Sequence, residues 1–312
     1  MKDAEAITLN GQLSIRYLSK RLADYMNTIT GQTEDELIIY NDTDSSYISV
    51  AGVVNKYKDR VPKDKMVEFL DKFVNEKLQP EINKSMHSLT QYMNTFQNAL
   101  GAKREVIAES GLWSGKKRYA LHVWDVEGVR YDKPKVKVTG IETQKSSTPA
   151  CVRDALMDCL KILLSGTPSE LQRYVEKFEI EFRKKPLEDI AFPRGVNNVE
   201  KYTSHTGLPV PGCPGHVRAV ISFNYNVARK YPDIYQPITS GEKIKFVYLV
   251  KQNPYQFESM AFIDKPPKEI ELARYVDWPR QFQVTFLNPL ETLAEAVKWK
   301  LVEESSLDDF FS

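Results

Sequence analysis

Apolar residues recur every three or four positions from Asp3 to about Ile29. Ile7, Leu13, Tyr17, Leu18, Leu22 and Met26 fall on one side of the stretch. That spacing predicts an amphipathic helix, and Gly31 stands where a C-terminal cap belongs. The period then drops to two. Residues 36–41 and 45–50 alternate as strands do, joined by a turn through Asp42, Thr43 and Asp44. A helical stretch follows over about 64–98, with a break or kink expected near Pro80. Strands are predicted over 103–109, 117–126 and 135–139. The segment SSTPACVRDALMDCLKILLSG reads as a complete helix. Ser147 or Thr148 is the expected cap, Pro149 fits the first turn and Gly166 follows the end. A second helix is predicted over about 168–184. Beyond Leu187, prolines crowd among short strand-like and helix-like pieces. A strong strand is predicted over 241–250 and a last helix over about 290–301. The texture shifts near Gly140–Pro149, from mixed helix and strand to mostly helix.

Composition narrows the function classes without choosing one. The 312 residues are 42% hydrophobic and 27% charged, with a net charge of +1. A chain-wide basic bias is therefore excluded, and any nucleic-acid role has to rest on local clusters. No run approaches the ~20 apolar residues of a membrane helix, and the N-terminus lacks a signal-peptide core. Cys151, Cys159 and Cys213 are odd in number and show no CxxC spacing, as expected of reduced thiols in the cytoplasm. His87, His122, His205 and His216 form no zinc pattern.

Two carboxylates one residue apart on a turn repel each other. They stay ionised at little cost only where water or a cation shares the site. A calcium loop starting at Asp42 would need Gly at its sixth position and Glu at its twelfth; Tyr47 and Val53 stand there instead. A phosphatase of the haloacid dehalogenase type leaves its Asp-x-Asp into a loop or helix, whereas here a second strand follows. A metal-dependent sugar-nucleotide transferase remains an alternative. Carboxylates on a strand–turn–strand suit a pair of Mg2+ ions shared with substrate phosphates.

Other clusters carry charge in register. Lys116, Lys117 and Arg118 precede Tyr119, Leu121 and Val123. Read as strand residues, Lys117 faces with Tyr119, and Lys116 with Arg118. Such cations fix phosphates without reading sequence, although a solvated edge has the same composition. Lys133, Lys135 and Lys137 alternate with Pro134, Val136 and Val138, which places three ammonium groups on one face. Lys145 follows, beside hydroxyls at a helix start that suits a phosphate. Glu105, Asp125 and Glu127 are acids on neighbouring strands. Pairing with Arg104 and Arg130 is their plain alternative.

YNDTDSSY, residues 40–47, resembles motif C of the family B DNA polymerases, usually Tyr-Gly-Asp-Thr-Asp-Ser. GLWSGKKRYALHVWDVEGVRYDKPKVKVTGIETQKSSTP, residues 111–149, is similar to the palm-to-thumb passage of the T-even bacteriophage type. VNNVEKY (196–202), CPGHVRA (213–219) and GEKIKFVYL (241–249) match the thumb of that type more loosely. SSLDDFF (305–311) resembles its sliding-clamp peptide. Asn41 stands where the family has Gly. After Gly, Asn is the residue that best tolerates positive φ, so the turn is expected to survive.

The resemblance implies an α+β fold. An antiparallel palm-sheet half with packed helices covers 1–140. A mostly helical thumb with a small β element covers 141–305, and a clamp-binding tail covers 306–312. It implies Asp44 as the main Mg2+ ligand, Asp42 as its neighbour and Lys117 close to the two ions. Carboxylates matching Glu105 and Glu127 lie near the triphosphate and hold an accessory ion, and Asp125 is functionally sensitive. Lys116, Lys117, Arg118, Tyr119, Lys135, Lys137, Lys145, Lys201 and Arg218 are the implied DNA contacts, and in the thumb Arg194, Asn198 and His216 join Lys201 and Arg218 on the duplex. Ser306, Leu307, Phe310 and Phe311 are the implied clamp contacts. The exonuclease, the motif A aspartate and the motif B helix are not found. The expectation is therefore a C-terminal subunit of a split polymerase in the host cytoplasm, inactive alone. Its partners would be an N-terminal chain, primer-template DNA, deoxynucleoside triphosphates and a sliding clamp, with no membrane. A DNA- and clamp-binding remnant without activity is the alternative, and a recombinant fragment a third reading. An exposed apolar face along Ile7, Leu13, Tyr17 and Leu18 is expected where the missing half packs.

Overall fold

The structure is a computed structural model that describes residues 2–31, 37–97 and 100–301. Ser306, Leu307, Phe310 and Phe311 lie outside the described residues. The fold is α+β. Two compact units make it up, Met1–Glu109 with Val123–Lys135, and Ser110–His122 with Val136–Ser312. The chain passes between them along β3 (Val106–Gly115), β4 (Arg118–Val126) and β5 (Val129–Thr139).

The first unit begins on helix α1 (Lys2–Thr30). Its heptad-like apolar spacing buries Leu18 and Leu22 against Ile82 and Met86. Met26 packs with Leu37, Val53, Leu70, Phe73, Leu78 and Ile107. Each such side chain contributes roughly 1.5–3 kcal/mol by leaving water. Gly31 takes φ +72° and donates its N–H to Asn27 O at 2.9 Å, ending the helix as its position predicted. The N-terminal half of α1 stays open: Ile7, Leu9 and Leu13 are exposed, whereas Leu18 is covered by its own chain.

Strands β1 (Ile38–Asp42) and β2 (Ser45–Ile48) pair antiparallel, Asp42 opposite Ser45. The second strand ends sooner than its alternation predicted. Helix α2 (Ala51–Tyr57) takes over and buries Gly52 and Val53. The predicted helix over 64–98 is α3 (Met66–Phe73), a π turn (Val74–Leu78) and α4 (Gln79–Tyr92). Pro80 does not break it. Proline supplies no N–H and crowds the carbonyl four residues back, and the wider π turn just before it takes up the mismatch. The same device recurs in the second unit, where the π turn Gln283–Leu287 precedes Pro289.

The second unit is built on α5 (Ala150–Ser165), whose Val152, Ala155, Leu156, Cys159, Leu160, Leu163 and Leu164 are all buried. The predicted Ser147 or Thr148 cap is not made: Pro149 occupies the N-cap position without a side-chain bond. The Ser147 carbonyl instead accepts from Arg194 Nη1 at 2.6 Å, and Thr148 N–H closes a turn onto Lys145 O. Helix α6 (Pro168–Phe182) opens on a full capping box between Thr167 and Glu170, the arrangement that satisfies two helix-end donors at once.

Short pieces follow: α7 (Leu187–Ile190), β6 (Phe192–Gly195), α8 (Val199–Tyr202) and α9 (Gly215–Phe223). Strands β7 (Lys243–Tyr248) and β8 (Ser259–Phe262) complete an antiparallel sheet in the order β6-β7-β8. Phe192 lies opposite Phe246, and Phe246 opposite Ala261. Helices α10 (Trp278–Phe282) and α11 (Asn288–Ala296) close the unit. Phe178 and Phe286 meet with ring centroids 4.7 Å apart, and Phe182 and Phe282 at 5.2 Å. Both pairs join α6 to the C-terminal helices.

Candidate catalytic and nucleic-acid-binding sites

In the first unit the carboxylate pair sits at the tip of the β1–β2 hairpin. Thr43 takes φ +48°, and Asp44 N–H donates to Asp42 O at 2.5 Å across it. A β-branched residue at positive φ is strained by about 1–3 kcal/mol. Thr43 Oγ1 donates to Asp42 Oδ1 at 3.2 Å, and Ser45 Oγ to Asp42 O at 3.2 Å. Asp42 is half-buried and Asp44 exposed.

Position 41 does not need positive φ. Asn41 is an extended β1 residue, and its Oδ1 accepts from Ser46 Oγ at 2.6 Å and Ser19 Oγ at 3.1 Å. It ties the hairpin to α1. No group of three His, Cys, Asp or Glu side chains converges among the described residues. Asp42 and Asp44 are two hard oxygen donors at a solvent-facing tip. That set fits Mg2+, which is commonly held by one or two carboxylates together with water and substrate phosphates.

Asp125 is fully buried in β4. Its Oδ1 accepts from Arg104 Nη1 at 2.5 Å and from Gly128 N at 3.0 Å, and its Oδ2 from Arg130 Nε at 3.1 Å. Arg104 also holds Asp71 Oδ1 of α3 at 2.8 Å. Burial pushes the Asp125 carboxyl up; the bonds from both arginines and Gly128 outweigh it and hold it below the usual range. Asp125 is thus the anchor of the β4–β5 turn. Glu127 (φ +51°) and Gly128 (φ +87°) form that turn, with the two positive φ values of a tight type I′ hairpin. Glu127 N–H donates to Glu105 O at 2.6 Å, so the two exposed glutamates lie on neighbouring backbones.

In the second unit Lys116 and Lys117 are not strand residues. They form the connection between β3 and β4, with Lys117 at φ +59°. The strand alternation of side chains therefore begins only at Arg118. Both lysines are exposed, whereas Tyr119 is buried and its ring stacks on Trp113. Arg118 Nη2 reaches both oxygens of Glu142, at 2.9 and 2.7 Å. Lys145 Nζ holds Glu142 Oε1 at 2.9 Å. Two of the expected DNA-contacting cations thus converge on one carboxylate. Burial would raise the Glu142 carboxyl, but the bond from Lys145 and the charges of Arg118 and Lys145 hold it low.

Lys133, Lys135 and Lys137 are exposed along the edge strand β5, and Lys135 Nζ lies 4.1 Å from the Tyr131 ring centroid. Lys201 is exposed beside the Tyr202 ring, and Arg218 Nη2 donates to Cys213 O at 3.3 Å. Arg194, with Lys145, Glu142, Thr148, Phe192 and Tyr248, lines a cleft of about 300 Å³. Gly140 and Glu142, both close to the lysine turn, were not singled out from sequence. A glycine ending a strand was the one signal available.

Two curated relatives resemble the chain. The DNA-directed DNA polymerase of Escherichia phage RB69 is 35% identical over 329 residues, taking in 100% of this chain. The DNA-directed DNA polymerase of Enterobacteria phage T4 is 32% identical over 325 residues, again covering 100% of the chain. Along its whole length the chain matches T4-type phage DNA polymerases. It spans 36% of the length of each of these polymerases. No family model matches the chain. No helix among the described residues is long and apolar enough to cross a membrane.

Proposed function

We propose that the chain is the part of a family B replicative DNA polymerase that carries motif C, half of the palm and the thumb. The full-length match to phage DNA polymerases carries this reading, together with an Asp-Thr-Asp hairpin tip that offers two exposed or half-exposed carboxylates. In this reading residues to about 140 are palm, 141–305 thumb, and 306–312 a sliding-clamp peptide that docks through Leu307, Phe310 and Phe311.

Asp44, with Asp42 beside it, would supply part of the ligand set for two Mg2+ ions. Bound there, the ions would stabilise charge on the attacking 3′-oxygen and on the pyrophosphate that leaves. The strained turn at Thr43 and the Asn41 bonds to Ser19 and Ser46 fix where Asp44 points. Lys116 and Lys117 grip the primer backbone, and the β5 lysines with Lys201 and Arg218 add charge along the duplex. Glu127, on the turn that Asp125 anchors, and Glu105, whose carbonyl accepts from its N–H, would hold an accessory ion near the triphosphate.

Two closely spaced carboxylates do not fix two ions for an in-line phosphoryl transfer. The second metal aspartate, the nucleotide-gripping helix and the exonuclease come from residues outside these 312, in our reading on an N-terminal partner chain in the host cytoplasm. The exposed Ile7, Leu9 and Leu13 of α1 are a surface for that partner.

Mixing the chain with a polypeptide that carries exonuclease and motifs A and B tests the proposal. Primer extension is expected only from the pair, and Asp44→Ala should reduce it at least ~1,000-fold, as loss of a principal transition-state contact does. Extension that survives Asp44→Ala would remove the catalytic assignment and leave a DNA- and clamp-binding role.

A further inference from the structure

We infer that Gly140 and Glu142 are positioning residues for the Lys116–Lys117 turn and set it in the orientation that grips a nucleic-acid backbone. This rests on the DNA-polymerase reading.

The turn needs an external hold. It exposes two adjacent cations on a two-residue connection, and Lys117 takes φ +59° without being glycine. Such a conformation persists only where its surroundings impose it. The surroundings are visible. A Cβ added to Gly140 would lie 2.1 Å from the Lys117 carbonyl oxygen, 3.2 Å from its carbon and 3.4 Å from Arg118 Cγ. Gly140 itself takes φ +66°. The backbone leaving β5 therefore runs directly against the lysine turn, at an approach only glycine permits.

Arg118, the next residue, supplies the second hold. Its Nη2 alone reaches both Glu142 oxygens, and Lys145 Nζ closes on the same carboxylate. The Arg118 and Glu142 side chains are 33% and 17% exposed. Charge-assisted bonds of this kind are shorter and stronger than neutral ones, and two cations on one carboxylate hold it between them. Arg118 is thus committed to a carboxylate two residues beyond Gly140, and the two holds act on one turn from one short segment.

The charge of Glu142 makes the inference testable by sign. By Coulomb's law alone, removing an anion beside a cation cluster strengthens binding to a polyanion. If Glu142 instead positions the turn, removing it weakens binding. The measurement is the affinity of the full chain for a primer-template duplex across a salt series, by fluorescence anisotropy. Glu142→Gln and the surface control Glu176→Gln both change net charge from +1 to +2.

The control should bind as tightly as wild type or slightly tighter. Glu142→Gln should bind about fivefold more weakly at 0.1 M salt, with a salt slope shallower by ~1–2, since each lost phosphate contact removes about 0.9. Gly140→Ala, which leaves charge unchanged, should show the same pattern. In a K116A/K117A background Glu142→Gln should have no further effect, which a general structural role would not produce. Equal or tighter binding by Glu142→Gln, or an undiminished loss in the double-lysine background, overturns the inference. A wild-type chain whose duplex binding has no salt dependence overturns the DNA reading first, and the inference with it.

Discussion

Arg104 donates from Nη1 to Asp125 Oδ1 at 2.5 Å, and the carboxylate it meets has no solvent exposure. The pair is the centre of a chain that runs from Asp71 through Arg104 and Asp125 to Arg130. Removing one partner of a buried pair leaves the other charge uncompensated, at a cost of roughly 3–5 kcal/mol. Asp71 still holds Arg104, so Asp125→Asn is expected at the lower end, about 3 kcal/mol.

The pH dependence has a definite sign. The folded carboxyl is held below its ordinary value of 3.8, so its stabilisation is present above that value. It is lost as pH falls through the lower, folded pKa. Urea unfolding of wild type and Asp125→Asn should therefore differ most at neutral pH and converge as pH drops below about 4. A difference independent of pH from 7 to 3 would show that Asp125 does not act as a paired anion.

Asn41 was expected to stand in for glycine at a turn, and it does neither. It is extended, and its Oδ1 accepts from Ser46 and Ser19, which also bond each other at 2.9 Å. Asn41→Gly removes two hydrogen bonds of about 0.5–1.5 kcal/mol each. It also loosens a strand backbone by about 0.5–1 kcal/mol. Ser19 and Ser46 can re-pair, so Asn41→Gly should destabilise by about 1–2 kcal/mol in denaturant titration. If position 41 needed positive φ, the same substitution would stabilise, so a gain in stability would reverse this reading.

What the sequence revealed was local. Helices α1, α5 and α6 were legible because Leu18, Leu22 and Met26, or Val152, Leu156 and Leu160, repeat at the helical period without help from elsewhere. The β1–β2 hairpin was legible from alternation and two turn aspartates. Helix α2 was not. Its Val53 and Val54 favour strands, and burial in the core around Met26 and Phe73 overrides that preference. The Lys116–Lys117 turn was misread because the alternation of Tyr119, Leu121 and Val123 extends smoothly backward through it. The residues that lie against it, Gly140 at the Lys117 carbonyl and Glu142 on Arg118, are distant in sequence. Nothing near Arg118 announces that its partner is a carboxylate rather than a phosphate.

Gln281 does for the second unit what no local pattern could signal. Its side chain is fully buried. Nε2 donates to Ile190 O at 2.8 Å, and Oε1 accepts from Tyr248 N–H at 3.0 Å. One amide thus satisfies the carbonyl at the end of α7 and the amide at the end of β7, and joins both to α10. Gln281→Leu preserves most of the volume but orphans both backbone groups. Each orphan costs about 1–3 kcal/mol, against which the added apolar burial returns only ~1 kcal/mol. A net loss of about 2–4 kcal/mol follows. The lysine turn and its Glu142 anchor do not touch Gln281, so duplex affinity measured well below the melting transition should stay within about twofold of wild type. A variant that unfolds no earlier than wild type would mean that the two backbone groups find other partners. The amide would then be a passenger in the core rather than the bridge between these three elements.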